Sequence, residues 1–130
     1  MKLKCIMLVD DDEPTNVLHK RVIEKAGVAE EVLIAYDGDE ALEIFYDDSP
    51  PPELVFLDIN MPRVNGWEFL EEYDKLPEEK KAQAVVVMLT TSLNPDDLER
   101  ARNYNGVTKF LRKPLTVDMI HETIEKHLKR

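Results

Sequence analysis

One cysteine, Cys5, is all that the chain carries, which excludes an internal disulfide and any zinc site built on paired thiolates. It stands among Ile6, Met7, Leu8 and Val9, where a small apolar side chain suits a core. Long apolar runs are missing as well. Nothing approaches the roughly 20 residues of a membrane span, and Met1 to Lys4 lack the apolar stretch of a signal peptide, so a cytoplasmic protein with no membrane partner is expected. Basic residues are outnumbered, 17 Lys and Arg against 27 Asp and Glu, and the formal net charge of −10 would repel a polyphosphate backbone. Direct nucleic-acid binding is therefore not expected. The three histidines, His19, His121 and His127, fall on helical stretches without matching ligands and read as ordinary helix residues. Internal repeats and linkers are absent, and 130 residues with 43% apolar content make a single domain, 1–130.

What is present alternates between two periods. Residues 5–9, 54–57 and 84–89 are continuously apolar, as strands covered on both faces must be. Residues 32–36 and 107–111 are shorter or more mixed, the latter interrupted by Thr108 and Lys109, and suit sheet edges. Between them lie helical sets at spacings of three and four: Leu18, Val22 and Ala26; Ala41, Leu42 and Phe45; Phe69, Leu70 and Tyr73; Leu98 and Ala101; Val117, Ile120, Ile124 and Leu128. Five such alternations predict an α/β fold of parallel strands with right-handed crossovers and helices on both faces. Three central and two edge strands fit the doubly wound order 2-1-3-4-5. Gly27 closes the first helix, Pro50, Pro51 and Pro52 mark a stiff loop, and Asn94-Pro95-Asp96 reads as a helix cap.

In such a sheet, ligands bind beyond the carboxyl ends of the strands where the strand order reverses, here between the first and third. The sequence loads that rim with polar groups. The first strand runs into Asp10, Asp11 and Asp12, the third into Asp58 and Asn60, the fourth into Thr90, Thr91 and Ser92, and the fifth into Lys113-Pro114. Crowded carboxylates repel unless a cation holds them, and an all-oxygen set suits Mg²⁺. A divalent ion and a lysine converging on one carboxylate suit a phosphoryl group, whose charge both cations would neutralise, with the carboxylate as nucleophile.

At these residues the sequence resembles the receiver domains of two-component response regulators, a flavodoxin-like family of single-domain chemotaxis-type phosphoacceptors among others. The resemblance rests on Leu8-Val9-Asp10-Asp11-Asp12, on Leu57-Asp58-Ile59-Asn60-Met61-Pro62 with Asn65-Gly66, on Leu89-Thr90 and on Phe110-Leu111-Arg112-Lys113-Pro114. It implies that Asp58 takes a phosphoryl group from a phosphohistidine on a histidine kinase or histidine-containing phosphotransfer protein. Mg²⁺ would be held by Asp11, Asp58 and the backbone carbonyl of Asn60, with Asp10 acting through water. Thr90 and Lys113 would each contact a phosphoryl oxygen, and the Lys113-Pro114 peptide would be cis. Thr90 and Phe110 would form the switch, the aromatic moving inward as the threonine shifts. The output face would be the fourth helix, fifth strand and fifth helix, with Arg102, Lys109 and Arg112 as candidate contacts for a downstream protein.

Neighbouring positions have separate readings. Asp12 and Glu13 complement the dipole of the first helix, Asp37, Asp39, Asp47 and Asp48 read as solvated helix ends, and Trp67 reads as packing. Thr91 fills a position where the family often has alanine, and with Asn60 and Ser92 it is placed to tune phosphate loss. A haloacid-dehalogenase-type phosphohydrolase also uses a strand-end aspartate and Mg²⁺, but its Asp-x-Asp would need a carboxylate where Asn60 stands. A binding module without phosphorylation is the third reading, disfavoured by the joint presence of Asp11, Asp58, Thr90 and Lys113. Met1 close before the first strand and the basic end Lys129-Arg130 favour a complete chain.

Overall fold

The computed structural model describes residues 2–47, 51–59, 66–77, 85–91, 94–103 and 107–128. Strands and helices alternate: β1 (Leu3–Val9), α1 (Glu13–Ala26), β2 (Ala29–Ala35), α2 (Gly38–Tyr46), β3 (Leu54–Asp58), α3 (Gly66–Asp74), β4 (Val85–Thr90), α4 (Pro95–Ala101), β5 (Val107–Arg112) and α5 (Val117–His127). The five strands are parallel in the order β2-β1-β3-β4-β5, as the periodicity predicts. Asp48, Pro50, Asn60, Met61, Pro62, Asn65, Ala84, Ser92, Lys129 and Arg130, all used in the sequence reading, lie outside the described residues.

Strand alternation divides the core in two. Met7, Val9, Val55, Leu57, Val86 and Met88 face α2, α3 and Ala101 of α4. Ile6, Leu8, Leu54, Phe56, Val87 and Leu89 face the opposite cluster, with Ile23 of α1 and Ile120 of α5. Phe45 and Tyr73 meet edge to face with centroids 5.1 Å apart, tying α2 to α3.

Local chemistry sets the helix ends. Gly27 adopts φ 67°, a left-handed conformation that favours glycine, and its N–H caps the carbonyls of Ile23 and Glu24. Asn94 caps α4 by accepting from the Asp96 N–H, with Pro95 in the first turn. In β5 the pairing steps from Val86–Val107 to Val87–Lys109, a one-residue irregularity next to Thr108.

Two expectations are corrected. Leu18, assigned with Val22 and Ala26 to the buried face of α1, is 50% exposed, while Asn16, His19 and Ile23 are buried. Val22 and Ala26 do pack against the core beside Ile23, so of that set Leu18 alone turns outward, and contacts from α1 to the strand-end loops bury Asn16 and His19 instead. Asp37, expected to be solvated, is largely buried and caps α2 by accepting from the Glu40 N–H.

Candidate functional site

The register aligns the strand ends on which the site is built. Val9 pairs with Leu57, Asp58 with Leu89 and Thr90 with Arg112, so Asp10, Asp58, Thr90 and Lys113 emerge along one rim. Asp10, Asp58 and Thr90 are buried there, whereas Asp11 is exposed. One carboxylate oxygen from each of Asp10, Asp11 and Asp58 lies within 4.8 Å of the others.

Lys113 enters this group from β5. Its N–H donates to the Thr90 carbonyl at 2.7 Å, which fixes the lysine backbone to the end of β4. The Lys113-Pro114 peptide is cis. Nζ lies 2.6 Å from Asp10 Oδ2 and 3.4 Å from Asp58 Oδ1, so the ammonium sits nearer the first carboxylate than the second. Burial acts to lower the Lys113 pKa, but the hydrogen bond to Asp10 and the charges of Asp58 and Asp10 outweigh it and raise the value above that of an ordinary lysine. The lysine is a fixed positive charge across the physiological range.

Three carboxylates against one ammonium leave negative charge that a divalent cation would balance, and the oxygen-only donors fit Mg²⁺ better than a softer metal. Asp12 does not belong to that group. It is the N-cap of α1, accepting from the Thr15 N–H and hydroxyl, and these bonds lower its pKa. Thr91 is exposed beside the rim.

Gly66 explains how β3 and α3 meet. A Cβ on this residue would lie 2.7 Å from the Asp58 carbonyl oxygen and 2.9 Å from the Ile59 Cα, and the Gly66 N–H donates to the Ile59 carbonyl at 3.0 Å. Trp67, the next residue, is buried, and the Arg100 guanidinium lies 4.5 Å from its ring centroid, linking α3 to α4. Phe110 is half-buried against the cluster that includes Met88 and Ala101. Of the basic residues expected on the output face, Lys109 pairs with Glu122 at 3.5 Å, Arg102 pairs with Glu99 at 3.3 Å, and Arg112 is exposed.

Sequence reasoning passed over two residues. Asn16 Nδ2 donates to the Asp10 carbonyl at 2.8 Å, and His19 Nε2 accepts from the Leu115 N–H at 3.2 Å. Asn16 was not considered, and His19 is a buried anchor, contrary to its reading as an ordinary helix residue. A signal was available: the spacing of Asn16, His19 and Ile23 defines a helix face as well as the Leu18 set does.

A five-stranded parallel sheet in this order, with an acidic group and a lysine at its switch point, defines a doubly wound α/β protein with an ion-binding rim where such folds hold their ligands. Residues 6–125 match the response regulator receiver domain family, and the chain belongs to it. It is 36% identical over 100 residues to the response regulator Rcp1 of Synechocystis, covering 73% of this chain and 67% of that protein. It is 30% identical to the polar-differentiation response regulator DivK of Brucella ovis, with 96% of each chain covered. A two-component response regulator from Cytophaga hutchinsonii has the same fold, with a TM-score of 0.87 and 28% identity over 97% of each chain. The family is a phosphoacceptor signalling module whose members generally use Mg²⁺ at an acidic pocket and interact with histidine kinases and downstream proteins. Among the described residues no helix is long and apolar enough to cross a membrane.

Proposed function

We propose that the chain is one receiver domain over 1–130, a cytoplasmic phosphoacceptor switch with Asp58 as the acceptor. The observation that carries this is the setting of Asp58: buried at the end of β3, 3.4 Å from Lys113 Nζ, and grouped with Asp10 and Asp11. An Asp58 carboxylate oxygen attacks the phosphorus of a phosphohistidine on a histidine kinase or histidine-containing phosphotransfer protein. The P–O bond forms as the P–N bond breaks, and the departing imidazole takes a proton from solvent.

Asp11, Asp58 and the Asn60 carbonyl would hold Mg²⁺, with Asp10 acting through water, and the ion would neutralise charge on the phosphoryl oxygens. Lys113 supplies a second positive charge and Thr90 a hydroxyl donor. Because Nζ starts closer to Asp10 than to Asp58, the ammonium must shift toward the new phosphoryl oxygens. Thr90 follows the phosphoryl group, and Phe110 moves further into the cluster against which it already packs. The surface of α4, β5 and α5 carries the output to a downstream protein, with Arg112 exposed on it. The chain promotes only its own phosphorylation and slow dephosphorylation.

Mixing the protein with acetyl phosphate and Mg²⁺ tests this reading. One phosphoryl adduct per chain, decaying slowly, is the expected result. Sustained turnover of acetyl phosphate would make the protein a phosphohydrolase, and no reaction would make it a binding module.

A further inference from the structure

The helix α1 buries two polar side chains one turn apart, Asn16 and His19, at positions where a helix face normally presents aliphatic groups. Each reaches a different rim loop. Asn16 Nδ2 donates to the Asp10 carbonyl at 2.8 Å, and His19 Nε2 accepts from the Leu115 N–H at 3.2 Å. Lys113 closes the circuit, because its Nζ lies 2.6 Å from Asp10 Oδ2 and its backbone is two residues from Leu115.

We propose that His19 is a positioning residue for Lys113, holding the loop from β5 to α5 so that the ammonium lies between Asp10 and Asp58, while Asn16 holds the acidic loop. This rests on the reading of Lys113 as a partner of the phosphoryl group. Leu115 N–H falls between β5, which ends at Arg112, and α5, which begins at Val117. It belongs to neither element, Leu115 is buried, and His19 supplies its acceptor. With Nε2 accepting, the imidazole carries its proton on Nδ1. Burial first, and then the Lys113 charge, favour this neutral form against the opposing influence of Asp10.

Replacing the imidazole by a side chain that cannot accept leaves the amide to seek another partner and moves the two-residue tether to Lys113. Transfer to Asp58 depends on where the ammonium stands and falls steeply with small displacements. The tether reaches the Mg²⁺ ligands only through the Lys113 ammonium, 3.4 Å from Asp58, whereas Asn16 bonds the backbone of the acidic loop itself. The two α1 anchors therefore have separable effects: loss of His19 slows transfer, and loss of Asn16 weakens Mg²⁺ binding through the Asp10-Asp11 loop.

The test compares His19→Leu, His19→Gln and Asn16→Leu in the full chain, using acetyl phosphate at saturating Mg²⁺ and a calorimetric Mg²⁺ titration. His19→Leu is expected to slow phosphorylation at saturating Mg²⁺ about tenfold, with a smaller change in Mg²⁺ affinity than Asn16→Leu produces. His19→Gln, which keeps an acceptor at similar reach, should recover most of the rate. Asn16→Leu should weaken Mg²⁺ binding. A folded His19→Leu chain with the parent rate, or a His19→Gln chain as slow as His19→Leu, overturns the proposal. So does absence in the parent of a nitrogen–nitrogen scalar coupling across the Leu115 N–H to His19 Nε2 bond, a measurement that needs no variant to fold. Failure of the parent itself to be phosphorylated would instead overturn the acceptor reading and this proposal with it.

Discussion

Gly66→Ala is a one-methyl perturbation whose cost follows from the geometry at β3. The added Cβ would stand 2.7 Å from the Asp58 carbonyl oxygen and 2.9 Å from the Ile59 Cα. Both are backbone atoms, so no side chain can turn aside. Restoring ordinary carbon–carbon contact of about 3.5 Å requires a displacement of roughly 0.6 Å between α3 and the end of β3. That movement stretches the 3.0 Å bond from Gly66 N–H to the Ile59 carbonyl. Overpacking of this kind costs about 1–3 kcal/mol, and the better helix propensity of alanine returns less than about 1 kcal/mol. A net loss of about 1–2 kcal/mol should lower the urea midpoint by roughly 1 M at the usual slope for a small domain. Because the clash falls on the peptide of Asp58, the proposed acceptor, phosphorylation by acetyl phosphate should slow at least about tenfold under conditions where the variant remains folded. A Gly66→Ala protein with the parent's urea midpoint and rate would refute the argument.

Other outcomes follow from the same structure. Asp11→Ala removes one of the grouped hard oxygen donors and should weaken Mg²⁺ binding in a calorimetric titration, an unchanged isotherm counting against the ligand assignment. His19 is held below the ordinary value of 6.5 by burial first and by the Lys113 charge, with Asp10 opposing. The folded chain therefore binds that proton less readily than the unfolded chain: the His19 contribution to stability is complete above about pH 6.5 and is lost as pH falls through the lower folded value. Urea midpoints between about pH 7.5 and 5.5 should fall less steeply in His19→Gln than in the parent, and equal slopes would contradict the assignment. Beryllofluoride with Mg²⁺ should shift NMR signals at Thr90, Phe110 and along β5, and changes confined to Asp10, Asp11 and Asp58 would remove the switch.

The elements most legible in the sequence were those governed by local pattern. The unbroken apolar run over 54–57 permits little besides a strand covered on both faces, and Gly27 and Asn94-Pro95 punctuate helices in ways set by their own backbones. The rim could be inferred because each polar group terminates its strand. The buried face of α1 was harder, since Leu18, Val22 and Ala26 and the set Asn16, His19 and Ile23 both satisfy helical spacing. The Asp10 carbonyl, which accepts from Asn16, and the return of Leu115, 96 residues from His19, make the polar choice favourable. The pairing of Lys109 with Glu122 likewise depends on how α5 lies beside β5, which no local spacing encodes.

Reductive trapping tests the central claim most directly. An acyl phosphate is reduced by borohydride to an alcohol, so a protein treated with acetyl phosphate and Mg²⁺, reduced and digested should yield homoserine at residue 58. The account predicts homoserine at that position alone, with none in Asp58→Asn, whose amide is a far poorer nucleophile. Homoserine at residue 10 or 11 in the parent, or a phosphoryl adduct on another side chain with residue 58 unmodified, would contradict it.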